Sequence, residues 1–219
     1  MIEIPQSFVL TDDDTPFANI EQALDEPNGL IAVGGVLSTE RLIDAYQRGI
    51  FPWYGEDEPV QWYSPNPRMV ATPAELHISK SLKKTLNQHK FNISVDQDFD
   101  SVIRHCKTVK RKNQTGTWID EAMVEAYTIL HQQGIVKSVE VYQDNKLVGG
   151  LYGVAMGKVF FGESMFSLRP DASKIAFVYL VQSMGYALVD CQVESPHLKS
   201  LGAFNIERSA FIKLLKDLL

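Results

Sequence analysis

Three polar side chains stand in runs that are otherwise apolar. Glu163 lies in Val159-Phe160-Phe161-Gly162-Glu163-Ser164-Met165-Phe166, and Asp190 and Gln192 lie in Leu188-Val189-Asp190-Cys191-Gln192-Val193. Both runs read as strands, whose side chains alternate between faces. Alternation puts Glu163 on the face of Phe161 and Met165. It puts Asp190 and Gln192 together, about 6.5 to 7 Å apart at two residues' rise, and turns Cys191 the other way with Val189 and Val193. A carboxylate among apolar neighbours is costly unless it is paired or hydrogen-bonded. Each of the three, taken alone, fits a buried structural network as well as a site; together on neighbouring strands they favour a site. Carboxylates and amides in a cleft accept protons and orient polar substrates.

The segment between the two strands must bring them together. Asp171 to Tyr186, with Ile175, Val178, Tyr179, Gln182 and Met184, reads as a helix capped by Asp171 or Ser173. Strand, helix, strand is a right-handed crossover unit, so the two strands are expected to be parallel and close. Upstream, Ser138 to Gln143, Lys146 to Ala155 and the Glu163 strand form a meander with turns at Asp144-Asn145 and Gly157. The glycines at 149, 150 and 153 suggest twist or a bulge.

The first 62 residues have a character of their own, acidic and turn-rich. They carry 12 acidic and 2 basic residues, a balance of -10, against +4 for residues 63 to 219. The overall charge of -6 therefore hides an asymmetry that suits a polyanion bound on one side. A small domain is expected over 1–62, with a helix from the Ser38 cap to Arg48, and a larger one over 63–219. Aromatic clusters at Phe51-Pro52-Trp53-Tyr54 and Trp62-Tyr63-Ser64-Pro65 either join the two or line a cleft.

Basic residues gather in two places. Lys80, Lys83 and Lys84 share the outward face of a helix within Ile78 to His89, and Lys110, Arg111 and Lys112 lie in a loop before Gly116-Thr117-Trp118-Ile119. Each is either a solvated face or a phosphate-backbone contact. Helices are expected from Asp98, from the Asp120 cap, and from Arg208 to Leu218.

Several chemistries are disfavoured. No phosphate-cradling or dinucleotide glycine fingerprint is present. The five histidines show no metal-ligand spacing, so neither metal nor cofactor is expected. Two cysteines without paired spacing do not make a disulfide framework. A Cys191 nucleophile with His197 as base fails because alternation turns Cys191 from the Asp190 face. With no basic leader and no apolar run of about 18 residues, the chain reads as cytoplasmic, with no membrane partner. The meander, central helix and following strand suggest an α+β N-acyltransferase fold with a mixed, mainly antiparallel sheet flanked by helices. The loop at Ser167 to Lys174 lacks the glycines with which acyl-CoA members hold the pyrophosphate.

In order along the chain, EPNGLIAVGGVLSTERLIDAYQRGIFPWY, WYSPNPR, GTWI, LVGGLYGVAMG, FFGESMFS, DASK, VDCQ and HLKSLGAFNIER closely resemble the leucyl/phenylalanyl-tRNA protein transferases. The resemblance implies a small N-terminal domain and an acetyltransferase-like catalytic domain. It implies an aminoacyltransferase that moves Leu or Phe, and Met less well, from charged tRNA to the N-terminal Arg or Lys of a protein, marking it for N-end-rule degradation. Asp190 and Gln192 then form the catalytic pair, with Asp190 holding the attacking amine, and Glu163 orients the aminoacyl ester. Trp53 and Trp118 would line the aminoacyl-adenosine pocket, Phe160 and Met165 the bowl for the apolar side chain. Lys80, Lys83 and Lys84, with Lys110, Arg111 and Lys112, would meet the tRNA. The enzyme is expected to act as a monomer, and Asp190→Ala to abolish transfer with the fold intact. The alternatives are an acyl-CoA N-acyltransferase and a non-catalytic tRNA-binding protein.

Overall fold

The computed structural model describes residues 4–12, 14–55, 57–109 and 119–219. Its first sheet is built from short pieces. Strands β1 (Val9–Leu10) and β2 (Leu30–Gly34) run parallel, helix α1 (Thr39–Gln47) follows, and β3 (Phe51–Pro52) and β4 (Gln61–Tyr63) complete the spatial order β1-β2-β4-β3. The Ser38 hydroxyl accepts the Arg41 N–H at 3.1 Å to open α1, as an N-cap side chain should. Gly49, at φ +74°, supplies the left-handed residue that lets the chain leave the helix. Leu42, Ala45 and Tyr46 form its buried face.

A second, larger unit consists of a sheet and the helices around it. It is made from β5 (Arg68–Ala71), α2 (Lys80–Leu86), β6 (Asn92–Val95), α3 (Phe99–Thr108), α4 (Glu121–Gln132), β7 (Val136–Gln143), β8 (Lys146–Met156), β9 (Val159–Ser167), α5 (Ala172–Ser183), β10 (Leu188–Gln192), α6 (Pro196–Lys199), β11 (Phe204–Ile206) and α7 (Arg208–Leu218). Seven strands lie in the order β11-β5-β10-β9-β8-β7-β6. In this sheet, among the described residues, only β9 and β10 pair in parallel, joined by α5 in the crossover that the sequence leads one to expect; the other neighbours are antiparallel. The fold is α+β with a mixed, mainly antiparallel sheet flanked by helices.

Each face of this sheet is covered by a separate buried cluster. On one side α5 contributes Ile175, Ala176, Phe177 and Val181, packed with Phe160 and Val189. On the other, α3 and α4 share a cluster with Tyr46, Phe51 and Trp62 of the first sheet's residues and with Phe161, Phe166 and Phe211. The α5 helix differs from the sequence reading, which grouped Gln182 with Ile175, Val178 and Tyr179 and capped the helix by Asp171 or Ser173. It is buried on most sides, Gln182 is exposed, and Asp171, at φ +67°, does not cap it with its side chain. That carboxylate instead accepts from Lys174 and Thr85, at 3.0 and 3.1 Å, and so ties α2 to the start of α5.

Strict alternation also breaks in β9. Tyr152 of β8 pairs with Ser164 but Gly153 pairs with Gly162, which leaves Glu163 as an extra residue in a bulge. Phe161 and Phe166, five residues apart, therefore face one cluster, while Phe160 and Met165 face the other. Glu163 keeps the side of Phe161, as expected, but Met165 does not. Gly153 makes room for the bulge, because a Cβ there would lie 2.1 Å from the Phe161 carbonyl oxygen. A Gly153→Ala variant is expected to lose about 3 kcal/mol or more in urea unfolding, the upper range for an overpacked core; unaltered stability would show that the bulge is not held by this contact.

Candidate active site

Pairing between β9 and β10 stops at Asp190 opposite Phe161, and a cleft of about 510 Å³ lies where the two strands go on. Its walls include Glu163, Asp190 and Gln192, the three residues singled out by type, together with Phe160 and Met165. Phe177, Leu180, Val189 and Leu198 extend an apolar bowl toward α5 and α6.

Glu163 is the centre of a buried network. Its Oε1 accepts from the Tyr46 hydroxyl at 2.6 Å and from Gln192 Nε2 at 3.0 Å, and its Oε2 accepts from the Tyr127 hydroxyl at 3.0 Å. The two tyrosine hydroxyls also meet each other. Burial pushes the Glu163 carboxyl up to about 7; the bonds from Tyr46 and Tyr127 pull against that, Asp190 adds to it, and the Gln192 bond lowers it again. Burial, and then the Glu163 charge, hold both phenols well above their ordinary range, so they remain donors.

Asp190 is engaged differently. Arg68 grips it through Nε to Oδ1 at 2.8 Å and Nη2 to Oδ2 at 2.6 Å, and neither side chain is exposed. The backbone N–H of Gln192 donates to the same Oδ1 at 2.9 Å. Asp190 therefore backs the wall of the cleft without presenting an oxygen to solvent. Its removal would leave Arg68 buried and uncompensated, a loss of about 3 to 5 kcal/mol, so the expectation that Asp190→Ala leaves the fold intact does not fit this geometry. Gln192 is the residue that reaches the cleft. Its backbone is left-handed, at φ +63°, and the register of β10 on β5 shifts between Asp190 and Gln192.

Cys191 lies with Val189, on the side that alternation gives it, and both line the cleft. Burial, and then the Asp190 charge, push its thiol up while Arg68 pulls it down, and a thiol so placed is a poor nucleophile. His197 lines the same cleft. Its Nε2 is buried without a hydrogen-bond partner, and burial followed by the Lys174 charge lowers its pKa.

The remaining candidates are spread more widely. Trp53 is 40% exposed and stands edge-on to Tyr63 at 5.8 Å; it is not among the side chains lining the cleft. Lys80, Lys83 and Lys84 are exposed on α2, beside the α5 terminus whose Ser173 lines the cleft. Trp118, Lys110, Arg111 and Lys112 lie outside the described residues. Among the described residues no group of three or more His, Cys, Asp or Glu could hold a metal ion, and no helix is long and apolar enough to cross a membrane.

Sequence reasoning passed over Arg68, Tyr46 and Tyr127 as site residues. The signal was there: a tyrosine on a buried helix face, or an arginine opening a strand of Met69, Val70 and Ala71, needs a polar partner.

Comparison with known proteins adds an independent line. A family model described as Leucyl/phenylalanyl-tRNA protein transferase matches residues 70–216, and one for the N-terminal domain of the same proteins matches residues 35–66. The Leucyl/phenylalanyl-tRNA--protein transferase of Nitrosomonas eutropha is 59% identical over 208 residues, 94% of this chain and 88% of the relative. That of Hydrogenovibrio crunogenus is 50% identical over 217 residues, 98% and 85% of the two chains. Among solved structures, a GCN5-related N-acetyltransferase from Kribbella flavida aligns over 74% of this chain and 59% of its own at 10% identity, with a TM-score of 0.39.

The Glu163 shift has a consequence for stability. The folded protein keeps a proton on this carboxyl up to about pH 7, whereas the unfolded chain releases it near 4.5. Between those values the folded state binds more protons, so this group's contribution is fully present below pH 4.5 and is lost as pH rises through 7, by on the order of 3 kcal/mol. Urea unfolding at pH 4.5 and pH 8 is expected to show a steeper loss in the native protein than in Glu163→Gln. Parallel pH profiles would mean that Glu163 titrates normally.

Proposed function

The chain belongs to the leucyl/phenylalanyl-tRNA protein transferase family and is an aminoacyltransferase; from that premise we propose that it moves Leu or Phe, and Met less well, from aminoacyl-tRNA to the N-terminal Arg or Lys of a protein. The observation that carries this reading is the cleft itself, in which an apolar bowl ends at Gln192 and Glu163. An aminoacyl ester is already activated, so the protein has to hold two substrates in register and manage one proton. The acceptor's α-amine attacks the ester carbonyl, a C–N bond forms, the C–O bond to the terminal ribose breaks, and the amine's proton ends on the ribose hydroxyl.

Gln192 is the side chain suited to meet the amine. Its Nε2 is committed to Glu163, which leaves the amide oxygen to accept from the amine and aim its lone pair. Glu163 anchors that amide, and Asp190 acts through the Gln192 backbone. Phe160 and Met165 belong to the bowl for the transferred side chain, which grades apolar groups by only about 1 to 3 kcal/mol per methylene; this is why Met is expected to be a weaker substrate and not an excluded one. Trp53 and Trp118 would stack on the terminal adenosine. Lys80, Lys83 and Lys84, and with them Lys110, Arg111 and Lys112, would meet the tRNA. The division at residue 62, action as a monomer in the cytoplasm and delivery of the products to N-end-rule degradation complete the reading.

The direct test is transfer of labelled Leu from Leu-tRNA to a peptide with N-terminal Arg, with an N-terminal Ala peptide as control and no ATP, CoA or metal added. Label is expected on the Arg peptide alone; label on neither, with Phe-tRNA and an N-terminal Lys peptide also tried, would overturn the reading. In the same assay, changing Lys80, Lys83 and Lys84 together to Ala is expected to raise KM for charged tRNA and to flatten its salt dependence by up to about three phosphate contacts. An unaltered salt slope would reduce the stripe to a solvated face.

A further inference from the structure

Arg68 opens β5 in a run whose next three residues, Met69, Val70 and Ala71, are all buried, and its own side chain is 0% exposed. Its guanidinium carbon lies 4.7 Å from the Phe51 ring centroid and 4.6 Å from that of Phe211. One ring comes from the first sheet and the other from α7, so three distant parts of the chain meet on one cation. Packing alone does not call for this arrangement, since an apolar side chain of similar volume fills such a space without the desolvation cost of a charge. What the guanidinium adds is a planar fork that fixes both oxygens of Asp190. Its third nitrogen, Nη1, is buried without a hydrogen-bond partner, so the surroundings favour the edge facing Asp190 over full satisfaction of the cation.

The consequence appears two residues on. The fixed Oδ1 of Asp190 receives the N–H of Gln192, whose φ of +63° is a conformation that non-glycine residues rarely keep without support. That conformation directs the Gln192 amide to Glu163 at 3.0 Å. We propose that Arg68 is a positioning residue for aminoacyl transfer: it holds Asp190 as the acceptor that keeps Gln192 left-handed, and it acts on the reaction through Gln192 without touching substrate. The proposal rests on the reading of Gln192 as the residue that meets the acceptor amine. It also gives Phe51 and Phe211 a part in the site, as the walls that exclude water from the pair.

Arg68→Lys keeps the charge and loses the fork; Arg68→Met keeps much of the volume and loses both. Each is to be compared with the native protein in Leu transfer, in thermal melts and in hydrogen exchange. For a folded variant, kcat is expected to fall about 10- to 100-fold, the scale of a misplaced catalytic group, with KM for Leu-tRNA within about threefold of native. Exchange of the Gln192 amide is expected to accelerate while the amides of β8 remain protected. Native kcat in both variants, a loss confined to KM, or uniform loss of protection across the sheet would overturn the proposal, as would failure of both variants to fold. If the native protein transfers no Leu, the functional reading fails first; if it transfers and the variants match it, only the role of Arg68 fails.

Discussion

Two carboxylates taken out of water set the terms for the rest of this molecule. Glu163 and Asp190 sit on adjacent parallel strands, and each needs donors beyond those that Gln192 of β10 supplies. Asp190 takes a guanidinium from β5. Glu163 takes hydroxyls from α1 and α4 and an amide from Gln192. The first sheet's helix is thereby tied to the candidate cleft by a hydrogen bond and not by apolar packing alone. A chain lacking Tyr46 would still cover the sheet, but it would leave the carboxylate with one donor fewer.

The two carboxylates are not equivalent. Asp190 is paired with a full cation, whereas Glu163 meets only neutral donors and is raised to about 7. A carboxyl raised this far, one hydrogen bond from the amide that reaches the cleft, marks the place as a candidate site. The apolar bowl beside it is built from α5, which is buried on most of its surface and so holds the lining residues firmly. This division, a rigid apolar receptor and a hydrogen-bonded polar rim, is what a transfer from an activated ester requires.

Much of the local structure was legible in the residues. The Ser38 and Asp120 caps, the meander and the terminal helix all follow from capping chemistry and periodicity, which act within a few residues and so leave their mark on the sequence. The parallel pairing of β9 with β10 followed from the handedness of a crossover. The grouping of Glu163, Asp190 and Gln192 followed in turn, because polar residues buried in apolar strands need partners and neighbouring strands can offer them.

The partners of those residues from outside the two strands were not legible. Arg68 lies 122 positions from Asp190 and Tyr46 lies 117 from Glu163, and no periodicity links them. The bulge at Glu163 defeats alternation, since one extra residue reverses which side the following residues face. Hence Met165 faces elsewhere than the pattern implies. By itself the sequence determined which residues were costly to bury and which elements would carry them, because burial cost and capping are properties of residue type and spacing. Only the tertiary structure decided who satisfies whom, because a hydrogen bond is a matter of tenths of an ångström between groups brought together from opposite ends of the chain.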